Sequence, residues 1–416
     1  MSASTFSIPA ELNGHVYLVG GAVRDKLLGR KPKDNDYVVV GKTPEQMEAL
    51  GFIAVGADFP VFLHPQTKQE FALARTERKQ GRGYKGFIVD ANANVTLEQD
   101  LARRDLTINA MAMTLDGVLI DPFGGSNDLQ QKLLRHTTLA FVEDPVRVLR
   151  IARFYARFGD DWTIHGSTQN LIANMQQSGE LEFLVAERVW AETEKALSEP
   201  HPHLYFYALK GLGIFPEIEA MQGVEQPAEY HPEGDVLTHT MLALTRAAEL
   251  ECDTQTRFAV LMHDFGKSVC FERNGDLHGH EAAGLEPIKA FCQRWRVPNK
   301  FRELACLTSQ WHTHCHRITQ LKPQTLYKFL ILGMDAVRQP LRFEQFLMAC
   351  QCDAQGRGPS ARTKPYQQAE FARQLVQHLA QFDHANAAKK AIAAGLEGAR
   401  IGESVRRDEL EYLKTF

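Results

Sequence analysis

Thirteen residues beyond Gly21 stand two aspartates separated by one residue, Asp34 and Asp36. They lead into the apolar run Tyr37 to Val40, which reads as a strand. Side chains two apart on a strand share a face, so both carboxylates can hold hard divalent cations. Upstream, the apolar run Val16 to Val19 reads as a strand, Gly20-Gly21 as a turn, and Ala22 to Leu28 as a helix leaving it. Backbone N–H groups at such a turn and helix start are donors at the positive end of the helix dipole, which suits a triphosphate. Alone, a Gly-Gly is also an ordinary tight turn and an Asp-x-Asp an ordinary solvated one. In this order, on a strand–helix–strand frame, they form the phosphate cradle and paired carboxylates that metal-assisted nucleotidyl transfer requires.

Further residues suit the same chemistry. Strands at 60–64 and 69–75 form a hairpin with Pro65 and Gln66 at its tip, and Glu70 is a candidate third carboxylate able to deprotonate an attacking hydroxyl. The polar stretch Thr76 to Phe87 contains three glycines and has the composition of a mobile lid or a long surface loop. Leu97, Leu101, Ile108 and Met111 are spaced as the buried stripe of one helix, which would carry Arg104 toward phosphate. On that helix Asp105 and Asn109 lie at i and i+4, where both could hydrogen-bond a ribose hydroxyl.

Asp144 before Pro145 predicts an N-cap followed by proline at the first helical position. Asp144 and Arg147 then share a helical face. A carboxylate accepting from an exocyclic amine, beside a guanidinium donating to a ring nitrogen, fits both cytosine and adenine and refuses uracil and guanine. One pair of side chains could select CTP and ATP without a template. Arg150 and Arg153, one turn on, would meet triphosphate or a primer phosphate.

The elements that must position these residues follow from the wider pattern. At 416 residues, two to four domains are expected. Hydrophobic content of 44% and charged content of 24% are those of a folded soluble protein. No apolar stretch is long enough to span a bilayer, and the first residues carry no secretory signal. The seven cysteines fall between Cys252 and Cys352 without a CxxC pair, which predicts thiols in a reducing cytosol and a cytoplasmic protein. A net charge of −4 argues against a basic coat for nucleic acid, although Arg75 to Lys79, Arg103-Arg104 and Arg147 to Arg157 are local basic clusters. Strands at 15–20, 36–41, 60–64, 69–75 and 117–121 alternate with short helices. From Asp144 onward the periodicity is almost entirely helical. The prediction is an α+β chain: a head with a mixed sheet (1–142), a helical neck and body (143–222), a Pro- and Gly-rich linker, a second helical block (235–380) and a helical tail (381–416).

The runs GGAVRD, DND, RRDLTINAMA, EDPVRVLRIARF and AERVWAE resemble the bacterial CCA-adding enzymes, tRNA nucleotidyltransferases of the DNA polymerase β superfamily in the class with head, neck, body and tail. The resemblance implies Mg²⁺ on Asp34 and Asp36, and nucleotide contacts from Gly21, Arg24, Arg104, Asp144, Arg147, Arg150 and Arg153. It also implies tRNA, CTP and ATP as partners of a monomer or homodimer, and a part for the loop Arg78–Phe87 in switching from C to A addition. A poly(A) polymerase shares the head motifs, a CC-adding enzyme shares nearly all of them, and a phosphohydrolase with a nucleotide-binding head is a rival of another class.

The second helical block carries its own signal. His263-Asp264 is preceded by His239 and followed by Asp353, imidazoles and carboxylates suited to a divalent transition metal. The set resembles the HD phosphohydrolase superfamily. That resemblance implies a metal such as Ni²⁺ and 2′,3′-cyclic phosphodiesterase, 2′-nucleotidase and phosphatase activities in the tail. His278, His280 and His312 follow without an assigned role. The run His312-Thr313-His314-Cys315-His316 lacks a matching second ligand pair and is read as incidental.

Overall fold

The computed structural model describes residues 8–55, 61–79, 87–90 and 92–416. They divide into two compact units, one of residues 1–192 with 204–214 and one of 193–203 with 215–416.

The first unit is built on a seven-stranded mixed sheet. Its strands are β1 (Val16–Val19), β2 (Asp36–Val39), β3 (Ile53–Val55), β4 (Val61–Leu63) and β5 (Glu70–Leu73), with β8 (Ala112–Thr114) and β9 (Leu119–Ile120) completing it; β6 (Thr76–Lys79) and β7 (Phe87–Asp90) pair as a separate ribbon. The order is β3-β4-β5-β2-β1-β8-β9, with β2 parallel to β5 and the other pairs antiparallel. Period-two alternation separates two cores, as a pleated strand requires. Val16, Leu18, Tyr37, Val39, Phe71 and Leu73 bury one face with Val23 and Met47. Val19 and Val38 bury the other with Ala74, Leu101 and Ala110. Asp36 alternates with Tyr37 and so belongs to the Val38 face.

Helices α1 (Gly21–Leu27), α2 (Pro44–Ala49), α3 (Leu97–Ala102) and α4 (Gly125–Gln130) belong to the sheet portion. A capping box at Thr96, whose hydroxyl accepts from Gln99 N–H while the Gln99 side chain accepts from Thr96 N–H, starts α3. After these come α5 (Val146–Phe158), α6 (Gly166–Gln177) and α7 (Ala186–Ser198).

Four details differ from the sequence reading. The stripe Leu97 to Met111 is not one helix: α3 ends at Ala102, and after an extended step a 3₁₀ turn spans Thr107–Asn109. Thr107 N–H donates to Arg135 O and Leu106 bridges His136, so tertiary partners capture the backbone groups that a continuous helix would pair internally. Asp34 lies in a bend before β2 rather than on it, so the shared face of a strand holds for Asp36 alone. Thr76 to Lys79, read as loop, forms β6; the stretch 80–86 lies outside the described residues. The helical part also contains a short parallel pair, Leu133–Leu134 with Thr163–Ile164.

The second unit is helical throughout its described secondary structure, with Val236–Glu249, Thr254–Met262, Asn299–His316 and Pro340–Gln355 at its centre. All seven cysteines are free thiols. Among the described residues no helix is long and apolar enough to cross a membrane.

Candidate active sites

In the first unit a cleft of about 520 Å³ is lined by Gly20, Gly21, Asp36 and Asn109, and by charged residues of α5 and its neighbours. It gathers Arg24, Arg104, Arg147, Arg150 and Arg153, the arginines singled out in the sequence, and adds Arg103, Arg157 and Arg188. Against these arginines stand the carboxylates of Asp36, Asp105 and Asp144, so the cleft favours a polyanion.

Gly20 has φ +66°, ψ −131°, a conformation that costs a side chain strain, and a Cβ there would lie 2.8 Å from Arg104 Nη1. The glycine thus lets the turn and the guanidinium approach each other. Arg104 is held by Asp100, which is fully buried and also pairs with Arg103; Arg104 Nε is buried without a hydrogen-bond partner.

Glu70 is the parallel register partner of Asp36, so the two carboxylates stand side by side on adjacent strands. Both are exposed, as is Asp34. Partial desolvation at the cleft wall and the neighbouring charge of Asp34 raise the Asp36 pKa, opposed by Arg104. The donors are all carboxylate oxygens, the kind a hard dication takes. Their ligand atoms do not close into a three-membered group here; among the described residues such groups occur only in the second unit.

Asp105 and Asn109 meet, but through each other. Asp105 Oδ1 accepts from Leu106 N–H (2.8 Å) and Asn109 Nδ2 (2.9 Å), and Oδ2 accepts from Arg150 Nε (2.8 Å) and pairs with Arg150 Nη2 (2.8 Å). These four donors fill the four acceptor positions of a carboxylate. Asp105 therefore orients Asn109 and Arg150 in this arrangement, with all four of its acceptor positions taken within the protein. Arg24 Nη1 donates to Asn109 Oδ1 at 2.6 Å, and Glu192 accepts from Arg153 Nε at 2.7 Å.

Burial alone would raise the Asp105 pKa, but Arg150, Asn109 and Leu106 N–H hold it at about 2. Because this lies below the unfolded value of about 3.9, the contribution to stability is present above roughly pH 4 and lost as pH falls through about 2. Asp105→Asn is expected to lower stability at neutral pH by roughly 2 kcal/mol. That deficit should shrink between pH 4 and pH 2, which chemical unfolding across that range measures.

Asp144 Oδ1 accepts from Val146 N–H at 3.1 Å, the capping contact expected at the start of α5. Its carboxylate also takes both Nη atoms of Arg188, at 2.9 and 2.7 Å. Arg147 donates to the carbonyls of Ala140 (2.6 Å) and Arg103 (2.7 Å). Arg188 is the member of this group that sequence reading left without a role; its presence in the AERVWAE run was the available signal.

The second unit brings His239, His263, Asp264 and Asp353 together in its interior, each at most 3% exposed. His239 Nε2 is 3.1 Å from Asp353 Oδ1, and His263 Nε2 is 3.1 Å from Asp264 Oδ2. Second contacts fix both rings. His263 Nδ1 is 2.7 Å from Val260 O and His239 Nδ1 2.6 Å from Glu233 Oε1, acceptors to which these nitrogens must donate. In the neutral rings each Nε2 then presents a lone pair inward, toward carboxylates. Neither Asp264 oxygen makes an aligned hydrogen bond, although Lys267 Nζ is 2.7 Å from Oδ2. A buried centre of inward lone pairs, with Asp264 Oδ1 left without a hydrogen-bond partner, fits a cation.

The electrostatics agree. Burial would lower the His263 pKa, yet Asp264 and Asp353 raise it, while both carboxyls are held well below the usual range against burial by surrounding cations and imidazoles. Burial drives His312 down to about 3.

The run from His312 to His316 is not incidental. His312 Nε2 is 3.6 Å from Asp264 Oδ1, and His316 Nε2 is 2.6 Å from Asp353 Oδ2. Both project one turn apart from Asn299–His316, a helical i, i+4 spacing that was the available signal. Glu233, from the stretch read as linker, had none beyond lying six residues before His239. A pocket of about 610 Å³ opens onto this centre and is rimmed by Lys267, Arg317 and Arg357, cations suited to a phosphate.

A family model described as "Poly A polymerase head domain" matches residues 16–135, and one described as "Probable RNA and SrmB- binding site of polymerase A" matches 161–221. The chain is 50% identical over 406 residues to a "Multifunctional CCA protein" of Hahella chejuensis, covering 96% of this chain and 95% of that one. Among solved structures it is similar to a Bacillus stearothermophilus CCA-adding enzyme in complex with CTP, with TM-score 0.63, 21% identity, and 96% and 89% of the two chains covered. A Thermotoga maritima CCA-adding enzyme complexed with tRNA gives TM-score 0.62 at 22% identity, with 97% and 88% covered. At these identities the two structures bear on the fold, which they share with this chain.

Proposed function

The chain belongs to the family of the multifunctional CCA proteins, and from that premise we propose that it adds and repairs the 3′-terminal CCA of tRNA from CTP and ATP, and that its second unit hydrolyses phosphate esters. The observation that carries the first activity is the arginine-lined cleft with Asp36 and the Gly20-Gly21 turn on its wall together with Asp144 and Arg147. Asp34 and Asp36 would hold Mg²⁺, which when bound neutralises charge building on the phosphates. Glu70, beside Asp36 in register, would draw the proton from the tRNA 3′-hydroxyl as its oxygen attacks the α-phosphorus and pyrophosphate leaves. Arg104, Arg150 and Arg153 would hold the triphosphate, with Asp100, Asp105 and Glu192 fixing their guanidinium planes. Gly21 would bring the turn close to the phosphates and Arg24 would hold Asn109 in place.

Asp144 and Arg147 would read the base edge. Arg188 and Val146 N–H leave one acceptor position on Asp144 Oδ2 for an exocyclic amine. Asp144→Ala or Arg147→Ala is expected to narrow the preference for CTP over UTP by roughly 5- to 150-fold, the worth of one good bidentate contact. Single-nucleotide incorporation measures it, and unchanged discrimination would remove the base-reading role.

The overall reading is tested by gel extension of tRNA lacking its 3′ end. Two C additions and then one A, with no use of UTP or GTP, are expected. A long A ladder would mean poly(A) synthesis instead, and arrest after two C additions a CC-adding enzyme.

For the second unit, His239, His263 and Asp353, with Asp264 Oδ2 3.1 Å from His263 Nε2, offer imidazole nitrogen and carboxylate oxygen, a donor set for a transition metal such as Ni²⁺. The ion would polarise a phosphoryl oxygen, while Lys267 and Arg357 bind the phosphate at the pocket rim. Phosphodiesterase activity on a 2′,3′-cyclic nucleotide, lost on chelation and restored by Ni²⁺ or Co²⁺, is the expected result.

A further inference from the structure

We propose that Tyr230 is the platform on which the second unit stacks the nucleobase of its substrate, making it selective for phosphate esters that carry a base; this rests on the phosphohydrolase reading of that unit. Tyr230 lies on the wall of the pocket of about 610 Å³ that opens onto the buried histidines and aspartates. Its side chain is 59% exposed. Among the described residues its ring meets no other ring or cation, and its hydroxyl has no hydrogen-bond partner.

A single exposed tyrosine is ordinary at a protein surface. What distinguishes Tyr230 is how it is held. The stretch from Val224 to Val236 is tied at its ends, where Val236 N–H donates to Val224 O (3.1 Å) and Gly223 N–H to Asp235 Oδ2 (2.7 Å). Compact loops closed in this way are frequent carriers of function. Within it the N–H groups of Tyr230 and His231 both donate to Pro227 O at 3.0 Å, so a tight turn presents the tyrosine.

Side chains on either flank of that turn fasten it to the centre. Gln226 Oε1 accepts from Lys267 Nζ (2.7 Å), the ammonium beside Asp264. Glu233 Oε1 accepts from Nδ1 of His231 (2.9 Å) and of His239 (2.6 Å), and those two rings meet edge to face at 4.8 Å. Tyr230 follows Pro227 and precedes His231 in this anchored loop, yet it alone of the loop's rings is left open on the pocket wall.

This placement has the order of a nucleotide. Lys267 and Arg357 supply cations for the phosphate. His231 touches the His239 ring, and Tyr230 is its chain neighbour, with Cα atoms about 3.8 Å apart. Tyr230 thus stands one residue outward from the centre, where a base would lie once a ribose crosses the pocket. Pro227 and Leu277 add apolar surface to the lining. An aromatic face accepts any base, because every base has a π-face.

The test compares hydrolysis of adenosine 2′,3′-cyclic phosphate with that of glycerol 1,2-cyclic phosphate, the same five-membered diester without a base, by the metal-loaded full-length chain. Tyr230→Ala is expected to raise KM for the nucleotide by about 5- to 150-fold, the worth of one base on one ring, with kcat within about twofold. KM for the glycerol ester should not move. Tyr230→Phe keeps the ring and should behave as wild type. Tyr230→Trp adds a readout apart from turnover: adenosine 2′-phosphate should quench its fluorescence beyond the quenching seen in wild type, and glycerol phosphate should not. The side chain is exposed, so these replacements leave the packing in place, which circular dichroism checks. An unchanged KM in Tyr230→Ala, or an equal rise for both esters, would overturn the stacking role while leaving the hydrolase standing. A fall of kcat on both esters would make the loop a support for His239 alone, and would overturn it as well. Hydrolysis of neither ester by the wild type would remove the phosphohydrolase reading itself, and the role of Tyr230 with it.

Discussion

Asp36→Asn is expected to abolish nucleotide incorporation into tRNA while leaving the fold and the hydrolysis of cyclic phosphodiesters unchanged. The side chain is exposed at the start of β2, so an isosteric amide disturbs no packing. What it removes is charge. Partial desolvation at the cleft wall and the charge of Asp34 raise the Asp36 pKa against the opposing Arg104, so the ionised carboxylate gains from a dication placed beside it. A bound metal contributes several kcal/mol to phosphoryl transfer, so the loss should be roughly 10³- to 10⁴-fold in turnover. Asp34→Asn should follow it. Primer extension with CTP measures the effect, and hydrolysis of a 2′,3′-cyclic nucleotide by the same preparation is the internal control. Extension at a normal rate would remove Mg²⁺ from these residues.

How far the sequence could be read depended on whether local or distant partners decide each residue. The strands β1, β2, β4 and β5 were legible because short apolar runs and the turn at Pro65-Gln66 are local. The fold class followed from them and from the helical periodicity beyond Asp144. The break after Ala102 was not legible: no glycine or proline lies between Arg103 and Met111, and the groups that interrupt the helix are Arg135 O and His136, more than twenty-five residues on. The arginines of α5 were legible as cations on a helix, whereas their carboxylate partners were not. Asp105 and Glu192 come from segments 45 and 39 residues away from Arg150 and Arg153, and nothing in the spacing joins them. The same holds in the second unit. His239, His263-Asp264 and Asp353 were legible as a set only through resemblance. His280, His312 and Glu233 became visible once three helices and the preceding irregular stretch had brought their nitrogens and oxygens to one point.

Asp264→Asn should have the largest effect there, because Asp264 is the one residue whose two oxygens face both groups of histidines. Hydrolysis of a 2′,3′-cyclic nucleotide is expected to fall by about 10³-fold or more, with CCA addition retained within about twofold. A second readout separates loss of metal from loss of fold. A ligand that binds only the native state stabilises by RT ln(1 + [L]/Kd), so Ni²⁺ or Co²⁺ should raise the unfolding temperature of the metal-stripped wild type. Asn supplies no negative charge to offset the dication, and the same addition should leave the variant's unfolding temperature almost unmoved. Lys267, 2.7 Å from Asp264 Oδ2, loses its counter-charge in the variant, so some loss of stability in the metal-free state is expected as well. That loss should be independent of added metal, whereas the catalytic loss follows the missing ion. Wild-type hydrolysis by Asp264→Asn, or an equal thermal response to Ni²⁺ in both proteins, would take the metal away from this residue and leave the buried cluster as an ion-pair network of the helical core.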